Sequence, residues 1–363
     1  MEPVTLKVAT LYGPDNWQSV PMNEFAEKIT EESDGKIDFE FFYAGSLVAP
    51  DEIAGGLTDG LVDLAYFVEV YTPEKFPIDD WISKGAFLSE PNRVGGHLQA
   101  MSATADWAIN DEDLMAEFDE QGLFPLIPRL HVLHEYNLLC NDPVTTLAEA
   151  EGKKVRIGGA AWAAAAEDLG MNPVSLAGDE MYTGLQQGVV DCFMGGEADM
   201  AGLNLTELAK NYTPMGFTGF SSYAIAMSKS SWNGLPLEAQ QLIWDQIPTY
   251  LESFAKSSNT AVDAFYQSVD ELGITIAEPD EELKARVEQH KQDVWESLPS
   301  EAPETVSDPE GTLADFEAAH EEWAGIIEEL GLADVPVEEM ASVDPSEWAE
   351  RSGTQIFEPH RPE

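Results

Sequence analysis

Basic residues are scarce in this chain. Its 363 residues hold 18 Lys and Arg against 68 Asp and Glu, a formal net charge of −50. A polyanion of this size is repelled by phosphate backbones and anionic lipid headgroups, which excludes nucleic acid as a partner. The acid is spread along the whole chain, the pattern of a solvated surface rather than of an interaction tail. Such a surface suits a salt-rich medium, where screening removes the self-repulsion. Cysteine is nearly absent, with only Cys140 and Cys192. They pair in an oxidising compartment or stand as two buried thiols, and buried thiols are the commoner outcome. No apolar run approaches the length of a membrane span, and no basic, apolar leader precedes Val4. Met1-Glu2-Pro3 reads as a truncated start from which a secretory signal or lipid anchor has been removed.

Signatures of chemistry are missing too. There is no Gly-x-Gly-x-x-Gly after a strand, no phosphate loop ending in Gly-Lys-Ser/Thr and no Gly-x-Ser-x-Gly elbow. His320-Glu321-Glu322 lacks the second histidine of a zinc helix. His131 and His134, three apart, find no partner for a metal set and read as ordinary surface or interface histidines. No nucleophile stands with a base. Neither an enzyme nor a cofactor or metal is expected.

What is present is enough apolar sequence to fold. Hydrophobic residues make up 44% and aromatics 10%, and the length favours two lobes over one core. Residues 4–10 alternate apolar and polar as a strand does, and 17–32 place Val20, Phe25, Ala26 and Ile29 near helical spacing, with Gly35 as the cap. A second strand at 37–43, a helix at 50–58 and a nearly all-apolar strand at 61–68 follow. Strands alternating with helices at this spacing predict doubly wound α/β architecture. Beyond lie a mostly helical 92–118, a strand at 123–127, an extended 128–140 that crosses between lobes, and a short helix at 146–150. Next come strands at 153–157 and 172–175, helices at 160–168 and 180–187, and a strand at 188–194. A strand pair over 217–227 returns to the first lobe. A long helical stretch, 236–271, has the length to span both lobes. Residues 299–311 read as a linker and 313–330 as a final amphipathic helix.

One residue stands out. Arg156 ends an apolar strand in Lys153-Lys154-Val155-Arg156-Ile157-Gly158-Gly159, and ligands of open α/β sheets bind outside the carboxyl ends of strands. A guanidinium there meets a carboxylate with two parallel hydrogen bonds. A structural salt bridge with one of the many acids is the competing reading.

Several segments, in order, resemble the substrate-binding proteins of tripartite ATP-independent periplasmic (TRAP) transporters, the dicarboxylate-binding family. They include Phe42-Tyr43-Ala44-Gly45-Ser46-Leu47, Asp59-Gly60-Leu61-Val62-Asp63-Leu64-Ala65 and Glu151-Gly152-Lys153-Lys154-Val155-Arg156. Further on stand Glu180-Met181-Tyr182-Thr183-Gly184-Leu185-Gln186-Gln187-Gly188-Val189-Val190-Asp191 and Trp232-Asn233-Gly234-Leu235-Pro236. The resemblance covers about residues 4–295. It implies a periplasmic-binding-protein-like α/β clamp of two lobes, with hinge strands and a long spanning helix. Residues 1–130 plus 218–255 would form lobe I, and 131–217 plus 256–298 lobe II, which carries Arg156. A C-terminal linker and helical extension would occupy 299–363. It further implies a periplasmic or extracytoplasmic monomer, a small organic acid as ligand, and a small and a large integral membrane protein as partners. Arg156 matches the family's carboxylate-binding arginine.

Departures from the pattern shape the expected ligand. The family's second arginine is replaced within His134-Glu135-Tyr136-Asn137. Its polar contacts after Asp191 become Cys192-Phe193-Met194-Gly195-Gly196-Glu197, and an aromatic position becomes Gly178, which opens space. With Arg156, the residues expected at the cleft are Tyr12, Trp17, Tyr66, Phe67, Tyr136, Trp162, Phe193, Met194 and Glu197. An aromatic wall with one arginine favours a monocarboxylate with an apolar or aromatic body over a C4-dicarboxylate. The alternative is a ligand-sensing domain or an enzyme built on the same fold.

Overall fold

The computed structural model describes residues 2–363, with the backbone alone at Asp179; Met1 and the reading of the chain's start lie outside it. Eleven strands form two sheets. They are β1 (Val4–Ala9), β2 (Ile37–Phe42), β3 (Leu64–Phe67), β4 (Leu123–Ile127), β5 (Tyr136–Cys140), β6 (Lys154–Ile157), β7 (Asn172–Ser175), β8 (Cys192–Gly195), β9 (Asn211–Phe217), β10 (Ala224–Ser228) and β11 (Thr275–Ile276). One sheet has the order β2-β1-β3-β10-β4, the other β11-β9-β5-β8-β6-β7. In the first, β1 pairs in parallel with β2 and β3, while β10 runs antiparallel between β3 and β4. Every residue of β3 and β10 is buried. Their continuous apolar runs therefore belong at the sheet centre, covered on both faces.

The chain passes between the sheets three times, in extended segments after β4 and after β9 and through helices between β10 and β11. The two extended crossing segments hold each other: the Leu130 amide donates to Tyr223 O at 2.8 Å and the Phe220 amide to Leu133 O at 2.9 Å. The two extended segments deliver β5 to the second sheet and β10 to the first, the geometry of a two-strand hinge. The helix Ile247–Leu272 packs against Val20–Glu32 of the first lobe and Glu197–Gly202 of the second, so it spans both.

Some sequence readings need correction. The stretch 236–271 is two helices, Leu237–Asp245 and Ile247–Leu272, the second carrying Pro248 in its first turn, where a missing amide costs nothing. Likewise 92–118 breaks at Asp111, whose carboxylate caps the following helix by accepting from the Leu114 amide. The helix at 313–330 is not the last: Pro309–Glu329 packs on Gly95–Asn110, and Ser346–Ser352 follows. Trp348, in that later helix, is fully buried and donates to Ser102 Oγ at 2.8 Å. Residues 299–363 therefore cover the first lobe. The thiol reading fails as well. Cys140 and Cys192 face each other across β5 and β8 with Cα atoms 4.1 Å apart, and they form a disulfide. Adjacent strands supply the proximity that a separation of 52 residues conceals. His131 lies buried and His134 half-buried in the first crossing segment, where desolvation pushes both imidazoles down.

A buried clasp anchors the hinge. Arg129, at the start of one crossing segment, is ion-paired with Asp79 and donates to Ser83 Oγ at 2.8 Å and Ser221 Oγ at 2.7 Å. Ser222 donates to the other Asp79 oxygen at 2.5 Å. Glu69 and Glu117 are buried beside this pair, so three carboxylates share one guanidinium. Burial lifts Glu117 from an ordinary 4.5 to about 8, against the pull of the Ile78 amide. Between those two values the folded chain keeps a proton that the unfolded chain releases, so stability falls as pH rises. Glu117→Gln removes that proton exchange. In urea titrations across the window the variant should lose up to about 1.4 kcal/mol per pH unit of the wild-type decline; an identical slope would show that Glu117 does not titrate there.

Candidate ligand-binding cleft

Strand β6 places Arg156 directly beside Phe193 of β8 in parallel register. Alternation then puts both side chains on one face of the sheet. The guanidinium carbon lies 5.6 Å from the Phe193 ring centroid, a cation–π distance. The Phe193 ring in turn covers Gly195, where a Cβ would sit 2.2 Å from it. Glycine at 195 is therefore what lets the ring lie flat beneath the arginine. Arg156 Nε donates to Leu176 O at 3.0 Å, and its guanidinium also bonds the Tyr136 hydroxyl. The residue is only 2% exposed, yet it forms no ion pair with any carboxylate among the described residues.

In front of it runs an interlobe cleft of about 690 Å³. Pro50, Val70 and Tyr71 line it from the first lobe, and Gly158, Ser175 and Leu176 from the second. A Cβ on Gly158 would come within 3.4 Å of both terminal guanidinium nitrogens. A side chain at 158 would thus crowd the approach to Arg156.

Some of the expected residues gather around Arg156 rather than on the walls of this cleft. Tyr136 stacks on Trp162 at 5.0 Å, and Trp162 is fixed by its indole N–H, which donates to Thr218 O at 2.9 Å. These rings back the arginine on the hinge side. Tyr12 reaches across from the first lobe, and burial pushes its hydroxyl well up, with Asp199 adding to the shift and Arg156 opposing it. Tyr66 lies behind it, fully buried and bonded to Ser19 Oγ at 2.8 Å. Trp17 touches the second lobe through Asp199, to which its indole donates at 3.3 Å.

Three expected residues are placed otherwise. Phe67 packs at a tilt against Phe76, ring centroids 5.6 Å apart, inside the first lobe's core, because its strand is buried on both faces. Met194 points to the opposite sheet face from Phe193 and is fully buried in core. Glu197 is ion-paired with Arg93 at 2.7 Å and accepts from Asn137 and Tyr266 at 3.1 and 3.2 Å. Those four partners engage it in an interlobe tie instead of the cleft, Tyr212 being the fourth. Sequence reasoning missed Asp199, two residues further along the same helix, Glu197–Gly202. It also missed Gln18, Val70, Tyr71 and Leu176. The family resemblance pointed to the segment after Asp191 as far as Glu197 but did not reach Asp199.

Hinged lobes closed over a buried, unpaired guanidinium define a solute-binding clamp. Residues 9–301 match the model of the family described as bacterial extracellular solute-binding protein, family 7, and the chain belongs to that family. A solute-binding protein of Roseobacter denitrificans is 25% identical over 193 residues, 52% of this chain. The match spans 55% of that relative's length. Among solved structures, a TRAP periplasmic solute-binding protein from Bordetella bronchiseptica with bound (R)- and (S)-mandelate superposes with a TM-score of 0.76 at 19% identity, over 88% of this chain and 99% of that one. A marine metagenome TRAP solute-binding protein specific for aromatic acid ligands, with 3-hydroxybenzoate, gives 0.74 at 18% identity over 89% and 99%. At these identities the likeness establishes the fold. Among the described residues no helix is long and apolar enough to cross a membrane.

Closure itself can be tested at Gly178. The Tyr12 hydroxyl lies 2.1 Å from where a Cβ on Gly178 would stand, so the space left by the glycine is filled by a tyrosine from the opposite lobe. Gly178→Val should hold the lobes apart and raise the radius of gyration in small-angle scattering, and Tyr12→Ala in the same chain should restore it. An unchanged radius in the single variant would mean that Tyr12 simply turns aside.

Proposed function

We propose that this chain is the extracytoplasmic solute receptor of a TRAP-type transporter, closing on a small organic carboxylate held by Arg156. The observation that carries this reading is the buried guanidinium with no carboxylate ion-pair partner among the described residues, in a chain of net charge −50. A buried charge is costly unless paired and hydrogen-bonded, so a ligand carboxylate stabilises what the protein leaves incomplete. The lobes that move are 1–130 plus 218–255 and 131–217 plus 256–298, turning about the crossing segments. The covering 299–363 moves with the first. Two integral membrane subunits, one small and one large, receive the ligand.

The favoured ligand is a monocarboxylate with an apolar or aromatic body. Tyr12, Trp17, Tyr136, Trp162 and Phe193 supply ring surface for stacking and burial. No second arginine stands in the cleft wall to meet another carboxylate, and a second acid in a closed site would be an unpaired buried charge. The bound mandelate and 3-hydroxybenzoate of the similar structures are of this kind. Calorimetry with mandelate, 3-hydroxybenzoate, benzoate, succinate and malate tests both parts. Arg156→Ala should weaken binding well over tenfold, since a charge-assisted hydrogen bond contributes about 1.5–3 kcal/mol. Binding within about threefold of wild type would remove Arg156 as the anchor. Tight succinate binding with none from the monocarboxylates would overturn the ligand class and leave the anchor intact.

A further inference from the structure

Asp199 is a second buried charge within electrostatic reach of Arg156, and it does not pair with it. It is 5% exposed and sits on the helix that follows β8. Trp17 Nε1 and Gln18 Nε2, both from the other lobe, donate to it at 3.3 and 3.1 Å. Both bonds fall on Oδ1, which leaves the lone pairs of Oδ2 without a hydrogen bond from the described residues. Arg156 and Asp199 are near enough to act on each other and on Tyr12 and Tyr136, which lie between them electrostatically. Yet they make no ion pair. Opposite charges buried within electrostatic reach would gain most by touching, and the sheet holds them apart: Leu176 O and Phe193 fix the arginine, Trp17 and Gln18 the aspartate.

We propose that Asp199 is a specificity-determining ligand contact, selecting carboxylates that also carry an N–H or O–H donor to bridge from Arg156 to Oδ2. The inference rests on the reading of Arg156 as the carboxylate anchor and adds the second pole. A ligand with an acid at one end and a donor at the other satisfies both buried groups at once. One with a second carboxylate meets a like charge, which gives the exclusion of dicarboxylates a positive cause beyond the missing arginine. Burial raises the Asp199 carboxyl to about 6 while Arg156 and the two hydrogen bonds hold it down, as expected for a group poised to gain a donor.

Three probes sharing one phenyl ring separate the alternatives: phenylacetate has no donor, mandelate adds an O–H and phenylglycine an ammonium. Phenylmalonate adds a second acid. In calorimetry the wild type should bind phenylglycine and mandelate about tenfold or more tighter than phenylacetate, and phenylmalonate weakest. Asp199→Asn keeps the Oδ1 acceptor for Trp17 and Gln18 but turns Oδ2 into a donor. Phenylglycine should then lose at least tenfold relative to phenylacetate, and phenylmalonate should gain. An equal loss for all four probes would reduce Asp199 to an interlobe tie and overturn the proposal. So would Arg156-dependent binding by the wild type with no preference for a donor, although the anchor reading would stand. Should no probe bind at all, the carboxylate-receptor reading falls and the proposal with it. Wild-type protein alone supplies a second measurement. Between about pH 5 and about pH 8, phenylglycine affinity should rise with ionisation of Asp199 while phenylacetate affinity stays flat. The charged and titratable groups facing Asp199 are Arg156 and the tyrosines Tyr12 and Tyr136, none of them an imidazole or a second carboxylate. Parallel pH profiles for the two ligands would also overturn the proposal.

Discussion

A buried guanidinium that forms no ion pair with a carboxylate among the described residues is the constraint around which this molecule is arranged. In a chain with 68 acidic residues, an arginine left to chance would collect one. Arg156 escapes because a backbone carbonyl, a tyrosine hydroxyl and an aromatic face occupy its surroundings. Neutral partners keep the charge hydrogen-bonded without cancelling it, so a positive floor survives inside a strongly negative shell. The shell also repels diffusing anions, which makes local electrostatics in the cleft, rather than long-range steering, the means of capture.

Two ties between the lobes run through one short helix, Glu197–Gly202. Glu197 ties to Arg93 on one side of it, while Asp199 ties to Trp17 and Gln18 on the other. Both ties cross between lobes, so closure brings together groups from opposite sides of the hinge and aligns the cleft walls. Behind them the Arg129–Asp79 clasp fixes the ends of both crossing strands by bonding Ser221 and Ser222. A firm hinge root with separable ties ahead of it is the arrangement a clamp requires.

Much of the architecture was legible from the residues. The all-apolar run at 61–68 announced a strand covered on both faces, and β3 lies in the middle of its sheet. The extended 128–140 and the 217–227 pair were read as crossings, and these segments do join the two sheets. Less visible were short elements with weak periodicity. β11 has only two residues and exists because Tyr212 and Asn211 offer it a parallel edge. Ser346–Ser352 becomes a helix where Trp348 finds a pocket against Ser102. In both cases tertiary packing supplies what local propensity lacks.

The site divides along the same line. Arg156 was singled out from sequence because composition made it rare and strand position gave it direction. Local pattern also placed the aromatic residues near the cleft. Whether Phe193 or Met194 shares the sheet face of Arg156 follows from sheet alternation, and whether Glu197 or Asp199 meets Trp17 follows from the turn of one helix against a neighbouring lobe. Such facing is set by contacts between residues far apart in the chain, 182 positions in the case of Trp17 and Asp199. The amino-acid sequence by itself determined the strands, the crossings, the acidic surface and the one conspicuous cation. Only the tertiary structure decided which charges pair, which cysteines bond and which are held apart, because long-range packing creates those distances and no local pattern encodes them.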